Sequence, residues 1–235
     1  MPVPNSISEN AIFIADSHFN EKRAQLLTFL KKLKSKEIET EQLFLMGDMF
    51  DFISGESKYF IKRNSKVISL LNEISLNIEI IYLEGNHDYN LKELFPNIKI
   101  YKRENQPIFM TYQNQSVALS HGDIFVNDIF YDIYCKFIRN RFFLLFMNAI
   151  DFKNFISKKI YYGLLKKNIC RKMNNFQEIV SKRVKHYNTN IIIEGHFHQG
   201  KEYILDKKRY KNIQSLNCSN EYVILCNNEF IGKSL

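Results

Sequence analysis

The residues able to do chemistry in this 235-residue chain lie in five short motifs. They are Asp16-Ser17-His18, Gly47-Asp48-Met49-Phe50-Asp51, Gly85-Asn86-His87-Asp88, His121-Gly122-Asp123 and Gly195-His196-Phe197-His198. Five of the six histidines and four of the eight glycines belong to them. Carboxylate oxygen and neutral imidazole together suit Mn, Fe or Zn, and no thiolate joins them as in a structural zinc finger. A carboxylate can bridge two cations. Two neighbouring cations acidify a bound water and clamp the oxygens of an in-line phosphoryl displacement. A lone Asp-x-His or His-x-His pair is usually structural. Five such motifs, each directly after an apolar run, point instead to a dinuclear hydrolytic site. His186 has no such context and reads as a surface residue on a basic helix.

The elements that must position these motifs follow from hydrophobic pattern. Residues 11–15, 42–46, 78–83 and 190–194 read as short buried strands, and 21–34 and 57–74 as helices between the first three. That alternation gives an α/β layered fold. Residues 98–101, 108–112 and 117–120 read as further strands, with a turn at Asn114-Gln115, and 202–205, 210–213 and 222–225 close the chain. Ligands at strand ends sit on a rigid sheet yet face an open cleft, and a neighbouring Gly lets the chain turn sharply. Residues 124–189 lack Pro, carry one Gly and read as several helices. Strands that read as one sheet flank this block. It is therefore expected to be a helical insertion into a core of 1–123 and 190–235.

The motifs D-x-H, G-D-x-x-D, G-N-H-D, H-G-D and G-H-x-H, in this order, resemble the calcineurin-like metallophosphoesterase family. The resemblance covers the chain apart from the insertion. It implies a four-layer α-β-β-α sandwich and two divalent metal ions, Mn foremost, with Fe or Zn also compatible. One metal would take Asp16, His18, Asp48 and His198. The other would take Asp48, Asn86, His121 and His196, so that Asp48 bridges and is catalytic through both. His87 is implied to approach the substrate phosphate rather than a metal and to assist the leaving group as a general acid. Asp51 and Asp88 would orient ligands through hydrogen bonds, a purely structural role being the alternative.

The insertion holds what could distinguish substrates. It carries thirteen Lys and Arg against four acids, a net +9, while the whole chain is at +8 and the remainder near neutral at −1. The anion-seeking character therefore belongs to this block. Fourteen of the chain's thirty-three aromatics also lie there. Such a block is either a helical cap burying its own core or a lid with an apolar slot and basic rim. The lid would suit an amphiphile with an anionic head, or a membrane interface. Its position between H-G-D and G-H-x-H, with Asn127-Asp128, Tyr131 and Phe137 to Arg139, resembles the UDP-2,3-diacylglucosamine hydrolase branch of the family. That resemblance implies Mn-dependent cleavage of the pyrophosphate to UMP and 2,3-diacylglucosamine 1-phosphate, in lipid A biosynthesis. Substrate would meet Asn86, His87 and His196 at the metals, and Asp128, Lys166, Lys167 and Lys172 in the lid. The chain departs from that branch where His87 stands for its usual Arg, and the lid's Ser and Lys contacts do not align cleanly. Both departures bear on substrate identity more than on hydrolysis.

Two rival functions use the same residues. A nuclease or other dinuclear-metal phosphodiesterase could stack single strands on the basic aromatic block, although no nucleic-acid-binding motif accompanies it. A non-catalytic binding module would be expected to lose ligands, whereas every ligand position and His87 are filled. Apolar residues make up 45%, ordinary for a globular protein. The start has no positive n-region or apolar h-region. The longest apolar run, 142–150, is well short of the roughly 20 residues that span a bilayer. A cytoplasmic protein, peripheral on the inner face of the inner membrane, is expected. Cys135, Cys170, Cys218 and Cys226 form no C-x-x-C pair and read as free thiols of a reducing cytosol, with Cys218 and Cys226 as candidate neighbours.

Overall fold

The computed structural model describes residues 6–125 and 129–235. The first part runs β1 (Ala11–Ile14), α1 (Gln25–Lys34), β2 (Gln42–Leu45), β3 (Ile53–Ser54), α2 (Lys58–Ile74), β4 (Glu79–Leu83), β5 (Asp88–Tyr89), β6 (Lys99–Tyr101), β7 (Ile108–Tyr112) and β8 (Gln115–Ser120). Helices α3 (Ile129–Ile138), α4 (Arg141–Ile150), α5 (Phe155–Leu164) and α6 (Phe176–Arg183) follow. The chain closes with β9 (Ile191–Glu194), β10 (Glu202–Leu205), β11 (Lys208–Asn212), α7 (Leu216–Ser219), β12 (Glu221–Cys226) and β13 (Glu229–Ser234).

Two sheets dominate, ordered β13-β12-β1-β2-β4-β6 and β10-β11-β9-β8-β7. The strands β1, β2, β4 and β6 pair in parallel, with Phe13 opposite Phe44 and Phe44 opposite Ile81. Strand β1 is apolar throughout because both its faces are covered. Ile12 and Ile14 pack against Leu26, Phe29 and Leu30 of α1 and Val67 and Leu71 of α2. Ala11 and Phe13 face the second sheet, meeting Val117, Leu119, Ile191 and Ile193. On the far side of that sheet, Phe176 and Val180 of α6 cover Ala118, Ile192 and Tyr210. The layers are therefore helix, sheet, sheet, helix, as the resemblance implies.

Several boundaries depart from expectation for local reasons. Helix α1 begins at Gln25 rather than residue 21, because Asn20 Oδ1 accepts from the Lys22 and Arg23 amides at 2.7 and 3.0 Å and holds a turn there. Strand β13 was absent from the sequence expectation. It is an edge strand with little burial, and a turn with Asn227 and Asn228 both at positive φ starts it. The short parallel pair β3–β5 joins two of the motif loops and has no apolar run to mark it in the sequence. The expectation of free thiols is corrected in part: Cys170 and Cys218 form a disulfide, while Cys135 and Cys226 are free. The partners lie 48 residues apart and meet only because the segment after α5 folds back against α7. No helix among the described residues is long and apolar enough to cross a membrane.

Candidate metal centre

Each of the five motifs begins within two residues of the C-terminal end of a strand: β1, β2, β4, β8 and β9. The backbone there is unusual. Asp16, His18, Asp48, His196 and His198 have φ of 49°, 44°, 54°, 64° and 60°. Residues with a side chain rarely adopt this left-handed region, and such outliers gather at functional sites. Strand-end hydrogen bonds hold them, among them Asp16 N to Gly47 O and His18 N to Asp48 O, both 3.0 Å. Two glycines are required by close approach. A Cβ on Gly47 would stand 2.3 Å from His121 Nδ1, and one on Gly85 would stand 2.2 Å from Asp48 Oδ1.

The seven residues expected to hold metal converge. Asp16, His18 and His198 offer donor atoms within 4.8 Å of one another, and so do Asp48, His121 and His196. Asp48 Oδ1 accepts the His87 amide at 2.8 Å. Its other oxygen, Oδ2, faces His18 Nε2 at 3.8 Å and His121 Nε2 at 3.6 Å, as a bridging carboxylate should. Asp16 repeats the device. Its Oδ2 accepts the His196 amide at 2.8 Å, while Oδ1 is buried without a hydrogen bond, 3.2 Å from His198 Nε2. His121 and His198 each donate Nδ1–H to a backbone carbonyl, of Met46 and Ile169, at 2.8 Å, which turns Nε2 inward towards the buried carboxylates. Asn86 Oδ1 and His196 Nδ1 both lie 3.3 Å from His121 Nε2. Lone pairs crowded together with a buried carboxylate oxygen left unpaired fit divalent cations.

The electrostatics divide the ligands. The carboxylates and His196 stand in their metal-binding forms. Against the opposing effect of burial, Asp48 and Asp16 push His121 up to about 9 and Asp16 raises His198, so these two imidazoles would shed a proton on taking a cation. Burial works against ionisation of Asp48, but His121, His87 and His18 outweigh it and hold the carboxyl well below its usual range. Asp16 is lowered too, its burial outweighed by His198 and His121. Burial and then the neighbouring His121 push His196 down to about 4. Ionised carboxylates and a neutral imidazole are the forms that bind cations.

The surrounding residues fix this cradle. Asp88 accepts from the amides of Asp48 (3.0 Å), Met49 (2.6 Å) and Gly85 (2.8 Å) and from the Tyr82 hydroxyl (2.5 Å), clasping two strand-end loops together. Burial and then the charge of Asp48 push its carboxyl up to about 7. Asp51 Oδ1 stands 3.5 Å from His18 Nδ1, and its Oδ2 is held by Asn20 and Arg23. Arg23 also donates to the carbonyls of His18 (3.0 Å), Lys167 (3.2 Å) and Leu164 (3.3 Å), tying the end of α5 to the centre. The sequence did not single out Asn20, Arg23 or Tyr82, which stand outside the motifs. The one local signal is an Asn-x-x-Arg turn directly after D-x-H.

His87 donates Nδ1–H to Asp51 O at 2.5 Å, leaving Nε2 facing Lys167 Nζ at 3.2 Å. Its pKa is lowered, chiefly by burial. Of the other lid lysines named from sequence, Lys166 is exposed and has no contact with the centre, and Lys172 lines a recess beyond His198. Asp128 lies outside the described residues. His186 is exposed, away from the centre, and stacks on Phe125.

A cavity of about 420 Å³ runs from Asn86 and His87 under α3, α4 and α5. Its walls include Phe52, Phe60, Leu144, Met147, Ile160 and Leu164. Arg139, at the end of α3, donates to Gly85 O at 2.6 Å and lies over the Tyr89 ring, seating the lid beside the centre.

The family model for calcineurin-like phosphoesterases matches residues 10–200. The chain belongs to this family. As a calcineurin-like phosphoesterase it is a metal-dependent phosphoester hydrolase. It is similar to the UDP-2,3-diacylglucosamine hydrolase of Wigglesworthia glossinidia brevipalpis, 28% identical over 214 residues, covering 86% of this chain and 84% of that one. The UDP-2,3-diacylglucosamine hydrolase of Blochmanniella pennsylvanica is 25% identical over 223 residues, covering 90% and 88%. Among solved structures, an archaeal phosphodiesterase shares the fold, with a TM-score of 0.51 at 15% identity, covering 96% of this chain and 99% of that one.

Proposed function

We propose that the protein hydrolyses the pyrophosphate bond of UDP-2,3-diacylglucosamine to UMP and 2,3-diacylglucosamine 1-phosphate. The observation that carries this reading is the apolar cavity opening directly on Asn86 and His87. Its size lies within the roughly 300–1,000 Å³ usual for ligand pockets. Asp16, His18, Asp48 and His198 would hold one cation, and Asp48, Asn86, His121 and His196 the second, Mn being the favoured metal. Bound there, the pair would lower the pKa of water and neutralise phosphoryl charge.

The chain's own residues supply the rest. Lys167 Nζ and His87 Nε2, 3.2 Å apart, form a pair placed for a phosphate at the cavity mouth. The bond from Nδ1 to Asp51 O fixes the His87 ring with Nε2 as its free nitrogen. A phosphate arriving there opposes the burial that lowers the His87 pKa and draws a proton to Nε2, ready for the leaving oxygen. Acyl chains would fill the space between Phe60, Leu144 and Ile160, each buried methylene contributing about 0.8 kcal/mol. Outside the lid, Phe130, Phe142 and Phe152 are 80%, 81% and 77% exposed among its many Lys and Arg. This mixture suits docking on the anionic cytoplasmic face of the inner membrane, where such a lipid would be met.

The test is incubation of Mn-loaded protein with UDP-2,3-diacylglucosamine and mass spectrometry of the products. UMP and the lipid 1-phosphate support the reading. Intact substrate, from protein that cleaves unrelated phosphodiesters, refutes it.

A further inference from the structure

A second recess, of about 480 Å³, touches the centre through His198. The apolar cavity touches it through Asn86 and His87, and the two share no lining residue. The His18 ring neighbours a lining residue of each, 4.9 Å from His87 of the apolar cavity and 5.4 Å from His198 of the second recess. The walls differ in kind. The second recess presents Arg171, Lys172 and Lys211 against one carboxylate, Glu221. Among the described residues, neither the Arg171 nor the Lys172 side chain is paired with a carboxylate. Lys211 is only 8% exposed, and its ammonium has Glu202 at 4.0 Å, a loose partner for a buried cation. Gln214 Nε2 donates to Glu221 at 3.3 Å, sharing that carboxylate's charge.

The wall is also fixed in place. The Cys170–Cys218 disulfide ties the Arg171-Lys172 segment to α7, and the adjoining Ile169 carbonyl holds His198. The segment that brings cations to the recess thus also orients a residue of the centre.

We infer that this recess receives the nucleoside monophosphate half of the substrate, while the apolar cavity receives the acylated half. The inference rests on the proposed pyrophosphate reaction. A molecule cut at a pyrophosphate between a polar anionic half and an apolar half needs two unlike compartments on either side of one centre, and this chain has them. Arg171 and Lys172 would meet the ribose hydroxyls and base carbonyls of the nucleotide at the rim, with Lys211 deeper in.

The probe is UMP, titrated by calorimetry into the Mn-loaded full chain and into Arg171→Ala/Lys172→Ala, with inorganic phosphate in a parallel series. Loss of two charge-assisted contacts should raise the Kd for UMP by about tenfold or more, with a clearly smaller rise for inorganic phosphate. Lys211→Met should weaken UMP in the same direction. Should that buried substitution unfold the chain, the exposed pair still decides. Equal UMP affinity in wild type and the double variant overturns the subsite. Equal losses for UMP and inorganic phosphate overturn the nucleoside assignment, since the recess would then be a plain anion site. Protein that cleaves the UDP-linked lipid yet shows no UMP loss overturns the subsite alone. Protein that leaves the lipid intact overturns the reading beneath it.

Discussion

The strand-end cradle and the helical lid over it are built on opposite plans. In the cradle, each carboxylate has one oxygen fixed by a backbone amide, as Asp48 has by His87 and Asp16 by His196, and five of its residues are held in left-handed backbone. The lid is seated mainly by polar contacts: Arg23 on the Leu164 and Lys167 carbonyls, Arg139 on Gly85 O, and Arg63 on the Tyr161 hydroxyl and ring. Many of its apolar side chains line the cavity or face outward, and only a few, such as Cys135, Tyr161 and Ile169, are buried elsewhere. On the proposed function, the reaction would belong to the cradle and substrate choice to the lid. Helix α6 marks the border, since it lies within the expected insertion of 124–189 but packs on the second sheet.

Substitutions can sharpen or break this contrast. The largest effect is expected from Asp48→Asn, which weakens the one carboxylate shared by both halves. It should lower kcat/KM by about 10³-fold or more and reduce bound metal in elemental analysis. A loss no greater than that of a lid variant would break the contrast. Next is Arg183→Met, which leaves Glu194 of β9 buried without its cation. It should cost about 3–5 kcal/mol in denaturant unfolding. The Glu194 pKa is lowered because Arg183 and hydrogen bonds outweigh the opposing burial. A depressed folded pKa means this stability is whole above the ordinary value of 4.5 and lost as pH falls through the depressed one. Wild type should accordingly lose stability in acid more steeply than the variant, in melts across pH. Asp88→Asn, loosening the clasp on the Asp48 and Gly85 loops, should lower metal affinity or activity by about 10–100-fold. The smallest effect is expected in the lid. Leu144→Arg, which puts a charge in the cavity, should lower the ratio of kcat/KM on the acylated substrate to that on a small diester by about tenfold.

What could be read in the sequence divides along the same line. The five motifs were visible because strand ends place ligands close together in the chain, and the apolar runs before them gave β1, β2, β4, β8 and β9. The supports were hidden because their partners are distant. Arg23 meets Asp51 28 residues away and the Lys167 carbonyl 144 residues away, and the local Asn-x-x-Arg turn names neither partner. The disulfide was hidden likewise, since Cys170 and Cys218 share no motif. Lys166 and Lys167 are neighbours of one chemistry, and only the turn after α5 sends Lys167 to His87 and leaves Lys166 in solvent. Strand β13 is not legible in the sequence because an exposed edge strand carries no clear alternation of burial.

The most direct test of a fixed hydrolytic cradle served by an apolar lid is one ratio of rates. It compares kcat/KM of the Mn-loaded protein on UDP-2,3-diacylglucosamine with that on UDP-glucosamine, which has the same pyrophosphate and no acyl chains. Burial of several methylenes in the transition state predicts a preference for the acylated substrate of about 10²-fold or more. Equal rates, or a preference for UDP-glucosamine, would contradict the account.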